Sequence, residues 1–260
     1  MVLKSIPETN YMHFKVRSHA CQLGAVIISS MPEAKKPIAV VLLSGGMDSC
    51  VTATMAARCH RLALLHSSYG QRTEAREYRA FEEIASRLKA ELKLRINQSY
   101  MTTIGGSALT DQSIEVPLAN PLTGTGHVIP VTYVPFRNAH FLAAATSWAE
   151  VIGAHKIFIG AVEQDSAGYP DCRPSYYESF SGLIETGTRP ETDIKIETPL
   201  IGLSKTEIIR QGLLLNAPLE LTWSCYQSSD KPCGGCDSCE LRRRAFEQAG
   251  VKDALVGSAG

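Results

Sequence analysis

Six consecutive apolar residues, Ile38-Ala39-Val40-Val41-Leu42-Leu43, run directly into Ser44-Gly45-Gly46. A short unbroken apolar run bounded by glycines reads as a strand buried on both faces, which a parallel sheet requires. The alternation continues downstream. Asp48 to Cys59 reads as a helix and Leu62 to His66 as a second strand. Glu74 to Ala90 is a helix with apolar residues at Tyr78, Phe81, Ile84, Ala85 and Leu88, and Leu92 to Ile96 is a third strand. Strand–helix–strand–helix–strand demands right-handed crossovers with helices on both faces. The expected class is α/β, a doubly wound, mostly parallel sheet.

Beyond the third strand, Asn97 to Pro135 is rich in Gly, Pro, Thr and Ser. A loop of that length is usually functional or a lid. Asn138 to Ile152 follows as a helix, with Asn138 a candidate N-cap and Gly153 a stop signal. Lys156 to Val162 reads as a fourth strand. Tyr176 to Glu185, Ser204 to Leu215 and Ser238 to Gln248 read as helices, and Ser204-Lys205-Thr206-Glu207 is a capping box.

Composition excludes several classes. Hydrophobic residues make up 44% of the 260 and charged residues 20%, too apolar for a disordered chain. Lys plus Arg and Asp plus Glu each number 26, and zero net charge argues against bulk binding to nucleic acid or an anionic membrane. No stretch approaches the roughly 18 apolar residues of a transmembrane helix. The expected organisation is an N-terminal extension (1–37), an α/β domain (38–221), a cysteine loop with a closing helix on the same domain (222–250) and a tail (251–260). Residues 1–37 hold Lys15, Arg17 and the apolar run Leu23 to Ile28. A signal peptide is one reading of that run. Its shortness favours an extra strand or a loose arm, and Met31 is a candidate start.

Ser44-Gly45-Gly46-Met47-Asp48-Ser49 joins a buried strand to a helix. The glycines let backbone approach an anion, and the helix N-terminus offers free N–H groups and a positive dipole end. Ser44 and Ser49 add hydroxyls. No Gly-Lys-Ser/Thr follows, so this is not a Walker loop, and the third glycine of a dinucleotide fingerprint is missing. The expectation is ATP binding; the plain alternative is a tight turn with Asp48 as a helix cap.

Four of the eight cysteines cluster as Cys225-x7-Cys233-x2-Cys236-x2-Cys239. Four thiolates in one loop, with Gly234-Gly235 at the bend, describe structural zinc. An iron–sulfur cluster is the runner-up, but the expected fourth cysteine three residues on, followed by Pro, is absent. Disulfides are the third reading. A metal site points to a reducing compartment, hence the cytoplasm. Arg242-Arg243-Arg244 and Lys231 offset the site's charge, form a solvated face or contact an anionic substrate. Without aromatics interleaved beside the basic run, no stable nucleic-acid partner is expected.

Ser-Gly-Gly-x-Asp-Ser resembles the loop of the PP-loop ATP pyrophosphatases. The resemblance implies pyrophosphate over the loop, Mg²⁺ alongside, and catalytic roles for Asp48 and Ser44. The nucleotide-binding stretch it implies is Leu43, Ser44, Gly45, Gly46, Met47, Asp48, Ser49, Cys50, Val51, Thr52 and Ala53. Further segments narrow the likeness: Ser67-Ser68-Tyr69-Gly70-Gln71-Arg72, Val134-Pro135-Phe136-Arg137-Asn138, Gly160 to Arg173, Glu197-Thr198-Pro199-Leu200, Ser204-Lys205-Thr206-Glu207 and Thr222-Trp223-Ser224-Cys225-Tyr226. Together with the cysteines they resemble the QueC family over about residues 38–250. Three positions depart from the family pattern: Ser68 and Thr73, where Asp and His are commoner, and Phe136, where Gly or Ala is commoner.

The QueC resemblance implies conversion of 7-carboxy-7-deazaguanine and ammonia to a nitrile on the queuosine path, through adenylate and amide. It also implies ATP, Mg²⁺, one zinc per chain and a homodimer. The deazaguanine is expected to meet Arg72, Arg137, Asn138, Asp165, Tyr169, Asp171 and Arg173, since ligands of open α/β sheets bind at the carboxyl ends of strands. For Asp171 and Arg173 the bland alternative is a mutual surface ion pair. Cys172 reads as a buried thiol, with nucleophile the weaker reading. Two rival functions are a tRNA thiolase, which wants a reactive cysteine pair not evident among Cys21, Cys50, Cys59 and Cys172, and a ligase joining a deazaguanine to a macromolecular amine.

Overall fold

A computed structural model describes residues 36–119, 129–163 and 169–255. The signal-like run and Met31 lie outside the described residues, as do Cys21 and Asp165. The strands are β1 (Ile38–Leu42), β2 (Arg61–Ser68), β3 (Leu92–Asn97), β4 (Lys156–Ile159) and β5 (Lys195–Glu197). They lie in the order β3-β2-β1-β4-β5 with every neighbouring pair parallel. β1 is central: Val40 stands beside Ala63 on one side and Ile157 on the other.

The helices are α1 (Met47–Ala57), α2 (Glu74–Arg87), α3 (Tyr100–Ile104), α4 (Arg137–Ile152), α5 (Pro174–Gly187), α6 (Lys205–Leu214) and α7 (Asp237–Ala249). Val40 and Leu42 face α4 and α5, packing with Leu142, Ala145, Tyr177 and Phe180. Ala39, Val41 and Leu43 face α1 and α2, packing with Cys50, Ala53, Phe81 and Ile84. With core on both sides, β1 has no solvent-facing position, hence its unbroken apolar run. α6 and α7 cover the outer side of α1 through Ile208, Ile209, Phe246 and Val51.

The doubly wound α/β expectation holds, with local corrections. β2 continues past His66 to Ser68 because β3 keeps pairing with it as far as Asn97. β4 stops at Ile159, ahead of Gly160. The Asn97–Pro135 segment is not structureless, since it contains α3. Asn138 is not the N-cap of α4; Phe136 takes that position, and the Asn138 side chain is used elsewhere.

The cysteine loop is built into this domain. Trp223, Cys225, Cys236 and Cys239 pack with Ala80 of α2, Ala108 and Val116. Ala119 N–H donates to Gly235 O at 2.8 Å, tying the loop to the long segment. The basic run divides by position. Arg242 is buried, ion-paired with Asp253 and donating to Thr222 Oγ1 at 2.8 Å. Arg243 and Arg244 both pair with Glu240 on the same helix. No helix among the described residues is long and apolar enough to cross a membrane.

Candidate active site

Chain order reverses direction between β1 and β4, so the crevice above their carboxyl ends is where this topology places a ligand. A cleft of about 1020 Å³ opens there. Its floor is Leu43, Ser44, Gly46, Met47, Asp48 and Ser49 after β1, with Gly160, Ala161 and Val162 after β4. Tyr69, Gln71, Arg72 and Thr73 enter from the end of β2, and Trp223, Ser224 and Tyr226 from the cysteine loop.

The loop after β1 is held in shape by its own serines. Ser44 N–H donates to Ser49 Oγ at 3.2 Å, and Ser49 Oγ donates to Gly46 O at 3.0 Å. Gly46 N–H donates to Ser44 Oγ at 3.2 Å. Gly45 has φ +95°, and a Cβ there would lie 2.5 Å from the Glu77 carbonyl oxygen, so glycine is required. Trp223 N–H donates to Gly45 O at 2.9 Å, pinning the loop from the C-terminal side. Asp48 does not cap α1; the N-cap is Gly46, without a side-chain cap. Asp48 Oδ2 pairs with Lys205 Nζ, while Oδ1 is buried without a protein partner. Cys50, Val51, Thr52 and Ala53 are fully buried along α1 and do not line the cleft.

The described residues expected to meet a base separate into four groups. Arg137, Asn138 and Tyr169 line the cleft. Arg137 donates to Tyr69 Oη at 3.1 Å and its Nε is buried without a partner. Tyr169 shares a hydrogen bond with Thr132 Oγ1 at 2.7 Å. Asp171 lies behind them, 2% exposed, its Oδ2 accepting from Asn138 N–H at 3.1 Å and its Oδ1 unpartnered. Asn138 Nδ2 donates to Asp171 O at 2.9 Å. Arg72 also lines the cleft, but its guanidinium is spent on the carbonyls of Ala108 (2.7 Å), Asp111 (2.9 Å) and Ile114 (2.7 Å), bracing the long segment. Arg173 is exposed at the N-cap of α5 and is not brought to the cleft; the Asp171–Arg173 ion pair does not form, because Asp171 is buried under α4.

The four sulfurs of Cys225, Cys233, Cys236 and Cys239 lie within 4.8 Å of one another. Cys233 and Cys239 Sγ are 3.9 Å apart. Four ligands at about 2.3 Å from a tetrahedral zinc stand about 3.8 Å apart, so the cluster fits such an ion. The Cys236 and Cys239 thiols, with backbone N–H groups of Cys233 and Gln227, hold Cys225 well below the usual thiol range.

The family model described as "Queuosine biosynthesis protein QueC" matches residues 38–250. The chain belongs to the QueC family. Over 222 residues it is 60% identical to the 7-cyano-7-deazaguanine synthase of Acidobacterium capsulatum, covering 85% of this chain and 96% of that one. Those of Koribacter versatilis and Chlorobium chlorochromatii are 58% and 55% identical, each over 84% of this chain and 92% and 94% of theirs. Among solved structures, NMN synthetase from Francisella tularensis matches with TM-score 0.43 and 16% identity, over 91% of this chain and 88% of that one. NH3-dependent NAD synthetase from Campylobacter jejuni matches at 0.42 and 15%, over 77% and 72%.

Within this QueC chain, the departures at Phe136 and Thr73 have visible consequences. Phe136 adopts φ +57°, a left-handed conformation that costs a side-chain-bearing residue about 1–2 kcal/mol and a glycine nothing. Thr73 Oγ1 donates to Glu77 Oε1 at 2.6 Å. Among the cleft residues that the sequence reading of the site did not name are Lys205, Glu77 and Tyr226. Lys205 carries a legible signal, since a cation at the first position of a helix opposes the dipole and wants an anion nearby. Glu77 looks like an ordinary first-turn acid on an amphipathic helix.

Proposed function

We propose that this chain is an ATP-dependent C–N ligase that converts 7-carboxy-7-deazaguanine and ammonia to 7-cyano-7-deazaguanine in queuosine biosynthesis. The observation that carries this is 60% identity to a 7-cyano-7-deazaguanine synthase along 96% of its length. The consistent names of the relatives weigh against the thiolase and macromolecular-ligase readings.

Acid plus ammonia to nitrile expels two oxygens, both poor leaving groups. Adenylation turns each into AMP, first at the carboxylate and then at the amide, so two ATP are consumed. The free N–H groups at the start of α1, Ser44 and Lys205 receive the pyrophosphate. Asp48, with its orphaned Oδ1, suits a cation, and Mg²⁺ bound there supplies charge neutralisation for the phosphates. Arg137 and Asn138, backed by Asp171, orient the deazaguanine, with Tyr69 and Tyr169 beside it. Cys225, Cys233, Cys236 and Cys239 would hold a structural zinc, which would fix the loop whose Trp223 pins Gly45. We further place the enzyme in the cytoplasm as a homodimer.

Incubation with the carboxy-deazaguanine, ATP, Mg²⁺ and ammonium, read by mass, tests the reading. Nitrile and AMP are expected, and ADP as sole product refutes it. Added amide should become nitrile with ATP and no ammonium. Asp48→Ala should stop both conversions while leaving zinc content intact.

A further inference from the structure

Ammonium has no lone pair with which to attack, so the cleft needs a proton acceptor. Among the described residues no histidine lines the cleft, and four carboxylates do: Asp48, Glu77, Asp237 and Glu240. Asp48 is paired with Lys205. Glu240 is bound by Arg243 and Arg244, which hold its carboxyl down at about 2. Asp237 opens α7 between two of the clustered cysteines.

Glu77 differs from all three. It lies in the first turn of α2, and its carbonyl oxygen sits against Gly45 of the nucleotide loop. Its hydrogen-bond donors are neutral: Gln71 Nε2 to Oε2 at 3.0 Å and Thr73 Oγ1 to Oε1 at 2.6 Å. Both donors also line the cleft. They leave each oxygen with further acceptor capacity. The charged and titratable groups facing Glu77 are Arg137 at the start of α4, Tyr69 past β2 and Glu74 on its own helix. Burial outweighs the two hydrogen bonds and Arg137, and raises the carboxyl above the usual glutamate range. A carboxylate moved in that direction is a better base near neutral pH.

We propose that Glu77 takes the proton from ammonium that frees the attacking nitrogen. This rests on the amide-forming reading above. Ammonium gives one proton to the Glu77 carboxylate. The released nitrogen lone pair forms the C–N bond at the acyl carbon of the adenylate. The C–O bond to AMP breaks, its electron pair leaving on the phosphate oxygen. The added nitrogen sheds its extra proton and Glu77 returns its own, so two protons reach solvent per amide formed. The second activation starts from nitrogen already bonded to carbon and takes no proton from ammonium; its two N–H protons leave the amide nitrogen, one as the oxygen is adenylated and one as AMP departs, and reach solvent.

The test is Glu77→Gln, nearly isosteric, assayed in separate half-reactions. At pH 7 the ammonium-dependent step should fall about 10²-fold or more, within the usual range for a general base. Pyrophosphate exchange into ATP with the acid alone, and amide-to-nitrile conversion, should stay within about threefold, which is about 0.65 kcal/mol. Hydroxylamine, already neutral at pH 7, should rescue the variant as hydroxamate. Raising the pH so that free ammonia accumulates should also narrow the gap. An unchanged ammonium step overturns the proposal. So does equal loss of all three activities, or failure of hydroxylamine to rescue. Should Glu77→Gln not fold, Thr73→Val decides: it removes a bond that favours the charged carboxylate, so the acidic limb of the ammonium step should move to higher pH, and an unmoved limb refutes the assignment. Wild-type protein that makes no nitrile at all fails the functional reading instead, and takes this proposal with it.

Discussion

Gly160 follows β4 where the first turn of α1 crosses it. A Cβ added there would lie 2.8 Å from the Asp48 carbonyl carbon, 2.9 Å from its oxygen and 2.9 Å from Ser49 N. These are backbone atoms and cannot swing aside as a flexible side chain would. Gly160→Ala therefore has to displace the start of α1 by about half an ångström to restore normal contact. Overpacking of this kind costs about 1–3 kcal/mol, which for a chain of this size lowers Tm by roughly 2–10 °C. The same displacement moves Asp48 and the loop N–H groups. Since a 1 Å misplacement can cost 10²-fold, a loss of about tenfold in kcat is expected. The matched control is Gly182→Ala inside α5, where a Cβ meets nothing within 4 Å. It should stabilise by about 0.5–1 kcal/mol with unchanged kcat. Urea unfolding and AMP release measure both variants. If Gly160→Ala keeps wild-type stability and rate, or Gly182→Ala loses as much, the close-approach argument is wrong.

Two more predictions concern metal and pH. Protein purified without added metal should carry about one zinc per chain by metal analysis, and Cys236→Ser should lose it, together with at least about 5 °C of Tm, because structural zinc contributes folding free energy; abundant iron refutes the assignment. His66 is fully buried, its Nδ1 3.1 Å from Leu43 O, and burial lowers its pKa to about 4. The unfolded chain takes up that proton below about pH 6.5 and the folded one only near 4, so stability falls with pH across that window, by up to about 3 kcal/mol. His66→Gln should flatten the slope, leaving the smaller share of His60, whose pKa burial also lowers; an unchanged slope in urea titrations from pH 7 to 4 refutes this.

The sequence revealed what burial makes periodic. β1 was legible because both its faces are covered, whereas β5 is three residues, Lys-Ile-Glu, at a sheet edge and shows no run at all. The tight turn after β1 and the cluster of four cysteines were legible because close backbone approach and convergent sulfurs constrain local spacing. The residues expected to meet a deazaguanine were harder. Arg72 and Arg173 carry the right chemistry for an anionic ligand, but one braces carbonyls 36 to 42 residues away and the other faces solvent. Partners so distant in the chain leave no local pattern. Lys205 meets Asp48 across 157 residues; its segment belongs to the family likeness, but its unfavourable place on the helix dipole is the one physical hint that an anion lies nearby.

The bond from Trp223 to Gly45 has a consequence for synthesis. On the ribosome, Gly45 emerges 178 residues ahead of Trp223, which pins it. Until the cysteine loop has cleared the exit tunnel, Gly45 lacks that restraint. A truncated or stalled nascent chain should therefore hold ATP poorly even with its central strands formed. On the proposed function, competence for nucleotide arrives only once the cysteine loop has docked, and ATP then favours chains in which it has, by mass action on the native state.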